Sequence, residues 1–118
     1  MADWVKVGGN ETTTFYADLN SIRIEESGVR MWSLLDLKIP DLKIPDSSIP
    51  TPYLSMKSRT EYNCNDVTYR FLDSQNYSSN MGEGDLVLRN TIVGEWVPVP
   101  QKSAVKTLWN IACGNTPF

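Results

Sequence analysis

Tyr53-Leu54-Ser55-Met56-Lys57-Ser58-Arg59-Thr60-Glu61-Tyr62-Asn63-Cys64-Asn65-Asp66-Val67-Thr68-Tyr69-Arg70-Phe71 alternates with a period of two on either side of a polar pair. In the first arm Leu54, Met56, Tyr62 and Cys64 form the apolar set, opposed to Lys57, Arg59, Glu61 and Asn63. In the second arm Val67, Tyr69 and Phe71 oppose Thr68 and Arg70. Successive side chains of a strand point to opposite faces, so the pattern predicts an antiparallel hairpin with one buried face. A two-residue loop at Asn65-Asp66 sets Cys64 against Val67, Tyr62 against Tyr69 and Glu61 against Arg70. Slipping the register by two would oppose Arg59 to Arg70, a repulsive pair, so the first register is expected.

Working outward, short alternating stretches punctuated by turn residues continue on both sides. Residues 4–7 end at Gly8-Gly9-Asn10, 13–17 end near Asp18-Leu19-Asn20, 22–24 turn at Ser27-Gly28, and 29–38 form a longer strand. After a polar loop over 76–84, strands are expected at 85–89 and 92–99, with Pro98 and Pro100 ending the sheet. Ser103 is an N-cap candidate for one helix. Val105, Leu108, Trp109 and Ala112 lie at i, i+3, i+4 and i+7, and Gly114 stands where a terminating glycine belongs. The expected fold class is α+β: one domain over 1–118, about six antiparallel strands in a meander of hairpins, and a C-terminal helix packed on the sheet.

Such a short helix is marginal alone and must be held by its apolar face. Cys113 falls at its last turn and Cys64 on the apolar side of the hairpin, so both sulfurs can reach the same seam. A Cys64–Cys113 disulfide is therefore expected, contributing about 4 kcal/mol by closing a long loop. That pair favours an oxidising compartment: periplasm, outer-membrane surface or secretion. The opening Met1-Ala2-Asp3-Trp4 is no export leader, so a leader or lipid anchor is expected to lie outside this sequence.

Residues 36–52 are unusual. Asp36-Leu37-Lys38-Ile39-Pro40 is repeated exactly as Asp41-Leu42-Lys43-Ile44-Pro45, with Pro50 and Pro52 beyond. Proline donates nothing to a ladder, so this stretch reads as an edge or protruding loop. Upstream, Val29, Met31, Ser33 and Leu35 read as a buried set, which places Trp32 with Arg30 and Leu34 on the other face. Together with Ile39, Leu42 and Ile44 of the repeat, these form the candidate binding surface. Trp4, Trp96 and Trp109 are expected in the core or half-core.

Composition narrows the chemistry. Eleven Lys and Arg against fourteen Asp and Glu give a net charge of -3, which argues against a nucleic-acid partner. No stretch has the roughly 20 apolar residues that span a bilayer. Without histidine, imidazole-based triads and His-containing zinc sites are excluded. Two distant cysteines build no thiolate metal site, and no glycine loop fits a phosphate. No cofactor is expected. Asp36, Asp41 and Asp46, spaced by five, do not match a calcium loop. Asp18, Asp66, Asp73, Glu83 and Asp85 could in principle supply a carboxylate pair for hydrolysis, but their turn-like contexts read as solvated loop residues.

Thr14-Phe15-Tyr16-Ala17-Asp18-Leu19-Asn20-Ser21-Ile22-Arg23, the strand around Trp32, and Ser55 through Cys64 appear in this order, followed by Met81-Gly82-Glu83-Gly84, Trp96-Val97-Pro98-Val99-Pro100, Ser103 and Cys113. The series resembles the surface-adhesin protein E family of bacteria over nearly the whole chain. The resemblance implies a curved antiparallel sheet crossed by a C-terminal helix, one disulfide, and an exported or lipid-anchored protein. It also implies binding to host matrix proteins such as vitronectin and laminin. Asn63, where the family tends to have aspartate, and the duplicated unit depart from the pattern. A non-catalytic binding module is thus the leading expectation. A periplasmic accessory domain holding a partner of its own cell through the proline-rich edge is the alternative, followed by a carboxylate hydrolase.

Overall fold

A computed structural model describes residues 3–41 and 53–114, with backbone only at 39–41. Seven strands, β1 (Trp4–Gly9), β2 (Thr13–Ile24), β3 (Val29–Asp41), β4 (Tyr53–Asn63), β5 (Thr68–Tyr77), β6 (Leu86–Asn90) and β7 (Val97–Pro98), precede one helix, α1 (Ala104–Gly114). The strands form one open antiparallel sheet in the order β1-β2-β3-β4-β5-β6, with β7 paired to β5. From β1 to β6 each strand thus pairs with its successor, the arrangement that short connections favour.

The central hairpin has the expected register, with Tyr62 opposite Tyr69 and Glu61 opposite Arg70. Its turn is tightened by the Asn63 side chain, whose Oδ1 accepts from the amides of Asn65 and Asp66. An extra residue in β5, Leu72, then shifts the pairing so that Arg59 meets Asp73. Further irregularities lie at Val7 in β1 and between Asp18 and Arg23 in β2. Such bulges bend strands and increase twist, which curves the sheet.

One face carries the core. Ala17, Val29, Met31 and Tyr62 pack against Leu108, Ala112 and Cys113, with Val7, Ile22, Tyr69 and Trp109 around them. The helix is capped as expected, the Ser103 hydroxyl accepting from the Lys106 amide at 3.1 Å. Trp109 is anchored by its Nε1–H, which donates to the Asn63 carbonyl at 3.0 Å. One residue beyond that carbonyl, Cys64 forms the disulfide to Cys113, with the two Cα atoms 5.5 Å apart. Trp109 and the disulfide therefore fasten the same two turns of helix to the end of β4. Small buried side chains at Ser33, Ser58 and Thr60 leave an apolar cavity of about 110 Å³ under Leu108.

Three expectations are corrected. The stretches 13–17 and 22–24 belong to one strand, β2, because Ser21 bridges the irregularity: its hydroxyl donates to the Asp18 carbonyl and accepts from the Trp32 amide. The side chain replaces a missing ladder bond. Residues 92–96 form no strand, since the Leu72 bulge interrupts the β5 edge and a single bond, Gly94 N–H to the Phe71 carbonyl, ties the segment there. The first copy of the repeat is not a protruding loop but continues β3: Asp36 is paired on both sides, Leu37 pairs with Thr13 of β2, the Lys38 amide donates to the Thr12 carbonyl, and Ile39 and Pro40 fall past that bond. Of the second copy only the Asp41 backbone, opposite Tyr53, is described; its other residues lie outside the described residues.

Candidate functional site

Because the helix covers one side of the sheet, the other is composed of alternate strand residues, and the register sets them in rows. One row reads Trp4, Asp18, Trp32, Arg59, Asp73 from β1 to β5. A second reads Lys6, Tyr16, Leu34, Lys57, Gln75, Arg89 from β1 to β6. A third reads Arg23, Arg30, Glu61, Arg70. All five arginines of the chain therefore stand on the face opposite the helix.

Glu61 anchors the third row. Its side chain is fully buried, yet it is charged and paired: Oε2 lies 3.0 Å from Arg30 Nε and Oε1 2.7 Å from Arg70 Nη2. The Ser27 hydroxyl donates to Oε2 at 2.7 Å. Burial alone would raise its pKa, but these donors outweigh it and hold the carboxyl below its ordinary value. The close approach of Gly28 completes the enclosure, since a Cβ there would meet the Tyr62 carbonyl oxygen at 2.7 Å and Glu61 Cγ at 3.0 Å. Arg70 also stacks on Trp96, its guanidinium carbon 4.5 Å from the ring centre.

The adjoining rows are framed at both ends. Asp73 is engaged by Arg89 at 3.0 Å, which leaves Arg59, its cross-strand neighbour, without an ion pair among the described residues. At the far end the 3-10 turn Asn80–Gly82 folds onto the sheet. Asp36 accepts from the Asn80 side chain and the Met81 amide, and Ser55 accepts from the Gly82 amide. Gly82, in the left-handed region at φ 71°, lies against the Lys57 stem, and Lys57 Nζ sits 5.0 Å from the centre of the Tyr77 ring.

Of the residues expected on a binding surface, Arg30 and Trp32 share this face and are half-buried. Trp32 is fixed by Asp18 and Arg59 on either side and by the bond from its amide to Ser21. Leu34 shares the face but is only 1% exposed, because it stands on a central strand between the longer Tyr16 and Lys57. It is a filler, not a contact. The Ile39 side chain, Leu42 and Ile44 lie outside the described residues. Trp109 packs on the core, but Trp96 stacks on Arg70 and Trp4 pairs with Asp18 on the face away from it. Lys57, Arg59, Arg70 and Trp96 were not expected together. Strand parity gave the face of Lys57 and Arg59, but only the register joins them to Trp32.

The carboxylates do not converge. Asp18 and Asp73 share a row but are three strands apart, roughly 14 Å. Asp66 is in the hairpin turn at one end, whereas Glu83 and Asp85 follow the 3-10 turn at the other. No group of three or more His, Cys, Asp or Glu side chains among the described residues could hold a metal. Asp36, of the spaced aspartates, is committed to the 3-10 turn. Nor is any helix among the described residues long and apolar enough to cross a membrane.

A bulged, open antiparallel sheet with one helix stapled across one face and an arginine- and tryptophan-bearing opposite face defines a small α+β domain. The family model for surface-adhesin protein E matches residues 4–114, and the chain belongs to that family. Two structures of Haemophilus influenzae protein E are similar in fold. Crystal form II gives a TM-score of 0.68 at 16% identity, covering 98% of this chain and 90% of that one; the other gives 0.66 at 16%, covering 98% and 86%. Protein E from non-typeable Haemophilus influenzae gives 0.58 at 15%, covering 98% and 86%. No curated protein matches the sequence. Membership places the chain among bacterial surface-exposed or secreted proteins, and the disulfide accords with that setting.

Proposed function

We propose that the chain is a non-catalytic binding module of the bacterial envelope or of a secreted protein, and that it recognises a protein partner with the helix-free face of the sheet. One observation carries this reading: Trp32 and Arg59, which has no ion pair among the described residues, adjoin in the middle of that face, between strands whose positions are fixed by Ser21 and by the Glu61 cluster. Tryptophan and arginine held rigidly at the centre of a surface are the residue types that dominate protein–protein binding energy. The face has no converging carboxylates, so it offers shape and charge instead of acid–base chemistry.

Protein E is a surface adhesin, and the family likeness extends to this chain the expectation of a matrix-protein ligand. The test is binding of the purified chain to immobilised vitronectin and laminin at physiological salt. Trp32→Ala is expected to weaken capture by about 30-fold, the magnitude of a central hot spot, with an unchanged melting temperature. Retention of neither matrix protein by the wild-type chain removes the matrix ligand, and equal retention by the variant overturns recognition by the helix-free face.

A further inference from the structure

Charge is segregated in this molecule. Among described side chains at paired strand positions, the helix-free face holds seven cations, Lys6, Arg23, Arg30, Lys57, Arg59, Arg70 and Arg89, against four carboxylates, Asp18, Asp36, Glu61 and Asp73. That is a net of +3. The rest of the chain has four cations and ten carboxylates, a net of -6. An acidic protein thus presents one basic face. Three of the four carboxylates there are also spent: Glu61 on two arginines, Asp73 on Arg89 and Asp36 on the 3-10 turn.

The uncompensated cations form a line along β4. Arg30 and Arg70 share a single carboxylate at the level of Glu61, and their side chains remain 29% and 24% exposed. Arg59 lies two residues along the strand and Lys57 two further, giving three positive stations with one residue between them. The repeat along a strand for every second residue is roughly 6.7 Å. An extended peptide has the same repeat, so a segment lying along β4 brings alternate side chains to successive stations. In a contiguous run every second side chain points away from the sheet, so the same number of carboxylates reaches fewer stations. Guanidinium forks pair with carboxylates bidentately, and Trp32 and Trp96 flank the line with apolar surface for the intervening residues.

We infer that this face takes an extended acidic peptide segment with carboxylates at alternate positions, read by Arg30 and Arg70, by Arg59 and by Lys57. The inference rests on the proposed recognition of a protein by the helix-free face and specifies the partner's chemistry. Fluorescence anisotropy with a labelled peptide of alternating Glu and Ser is the direct measurement. The controls are the same composition with all glutamates contiguous, and a Gln-for-Glu version.

The alternating peptide should bind most tightly, with an affinity that falls as salt rises. Arg59→Gln should weaken it about tenfold or more, as expected for loss of one charge-assisted contact. Lys57→Gln should weaken it to a smaller extent, whereas Lys106→Gln, on the helix, should leave it unchanged. Thermal melts establish that each variant is folded. Indifference to the spacing of the glutamates, no effect of Arg59→Gln in a folded variant, or tighter binding of heparin or a single-stranded oligonucleotide overturns the inference. If matrix-protein capture depends on Trp32 but no acidic peptide binds, this inference falls and the proposed function stands; the reverse result removes the matrix ligand alone.

Discussion

Glu61 is the residue on which the helix-free face depends. A fully buried carboxylate is costly unless it is paired and its lone pairs are filled, and here two guanidiniums and a hydroxyl meet both conditions. Glu61→Gln removes the charge but leaves Arg30 and Arg70 facing each other across a neutral amide. It is expected to cost about 3 kcal/mol at neutral pH, measured by urea unfolding. The pH dependence has a definite sign. Because the folded-state pKa is lowered from 4.5, the stability Glu61 provides is complete above pH 4.5 and fades as pH falls below it toward the folded value. The gap between wild type and Glu61→Gln should therefore narrow in acid. A gap that is constant from pH 7 to pH 3 would show that the charge contributes nothing. No local pattern signals this burial: parity puts Glu61 on the polar face correctly, but what closes over it comes from Ser27, Arg30 and Gly28, some thirty residues away.

Between elements, the decisive contact is helix to sheet. Its parts were legible because each has a strong local period: two for the arms of the hairpin, near 3.6 for the apolar face of α1. Where the two patterns end, Cys64 and Cys113 meet. Residues 92–96 were misread as strand for a complementary reason, since alternation marks a strand only where a partner edge is free, and beside this segment the Leu72 bulge interrupts the edge that β5 offers to Val97 and Pro98. Likewise the division of β2 looked like a turn because Asp18, Asn20 and Ser21 are turn formers, whereas here they hydrogen-bond within a bulge. Replacing both cysteines by serine releases a loop with a sequence separation of 49 and is expected to cost about 4 kcal/mol. That approaches the lower end of the 5–15 kcal/mol typical of a domain. The variant's urea midpoint should fall steeply, with the helical circular-dichroism signal lost at lower denaturant than the sheet signal; an unchanged midpoint would mean that Trp109 and its bond to Asn63 suffice.

For the molecule as a whole, two surfaces compete for the role of binding site: the helix-free face and the duplicated unit between β3 and β4. They differ in what anchors them. The face is fixed through the ladder of β2 to β5, and the first copy of the repeat contributes to that ladder through Asp36 and Leu37. Removing either copy of the Asp-Leu-Lys-Ile-Pro unit yields the same chain, so Asp36 and Leu37 are retained whichever is deleted. Shortening the β3–β4 connection by one unit changes its closure entropy by only about 0.5 kcal/mol, in the stabilising direction. The deletion should therefore leave the melting temperature within a few degrees of wild type. If recognition belongs to the face, capture of the protein partner should also be unchanged while Trp32→Ala weakens it about 30-fold. Loss of capture on deletion, with stability intact, would move the site to the proline-rich connection and favour strand addition there over recognition by the face.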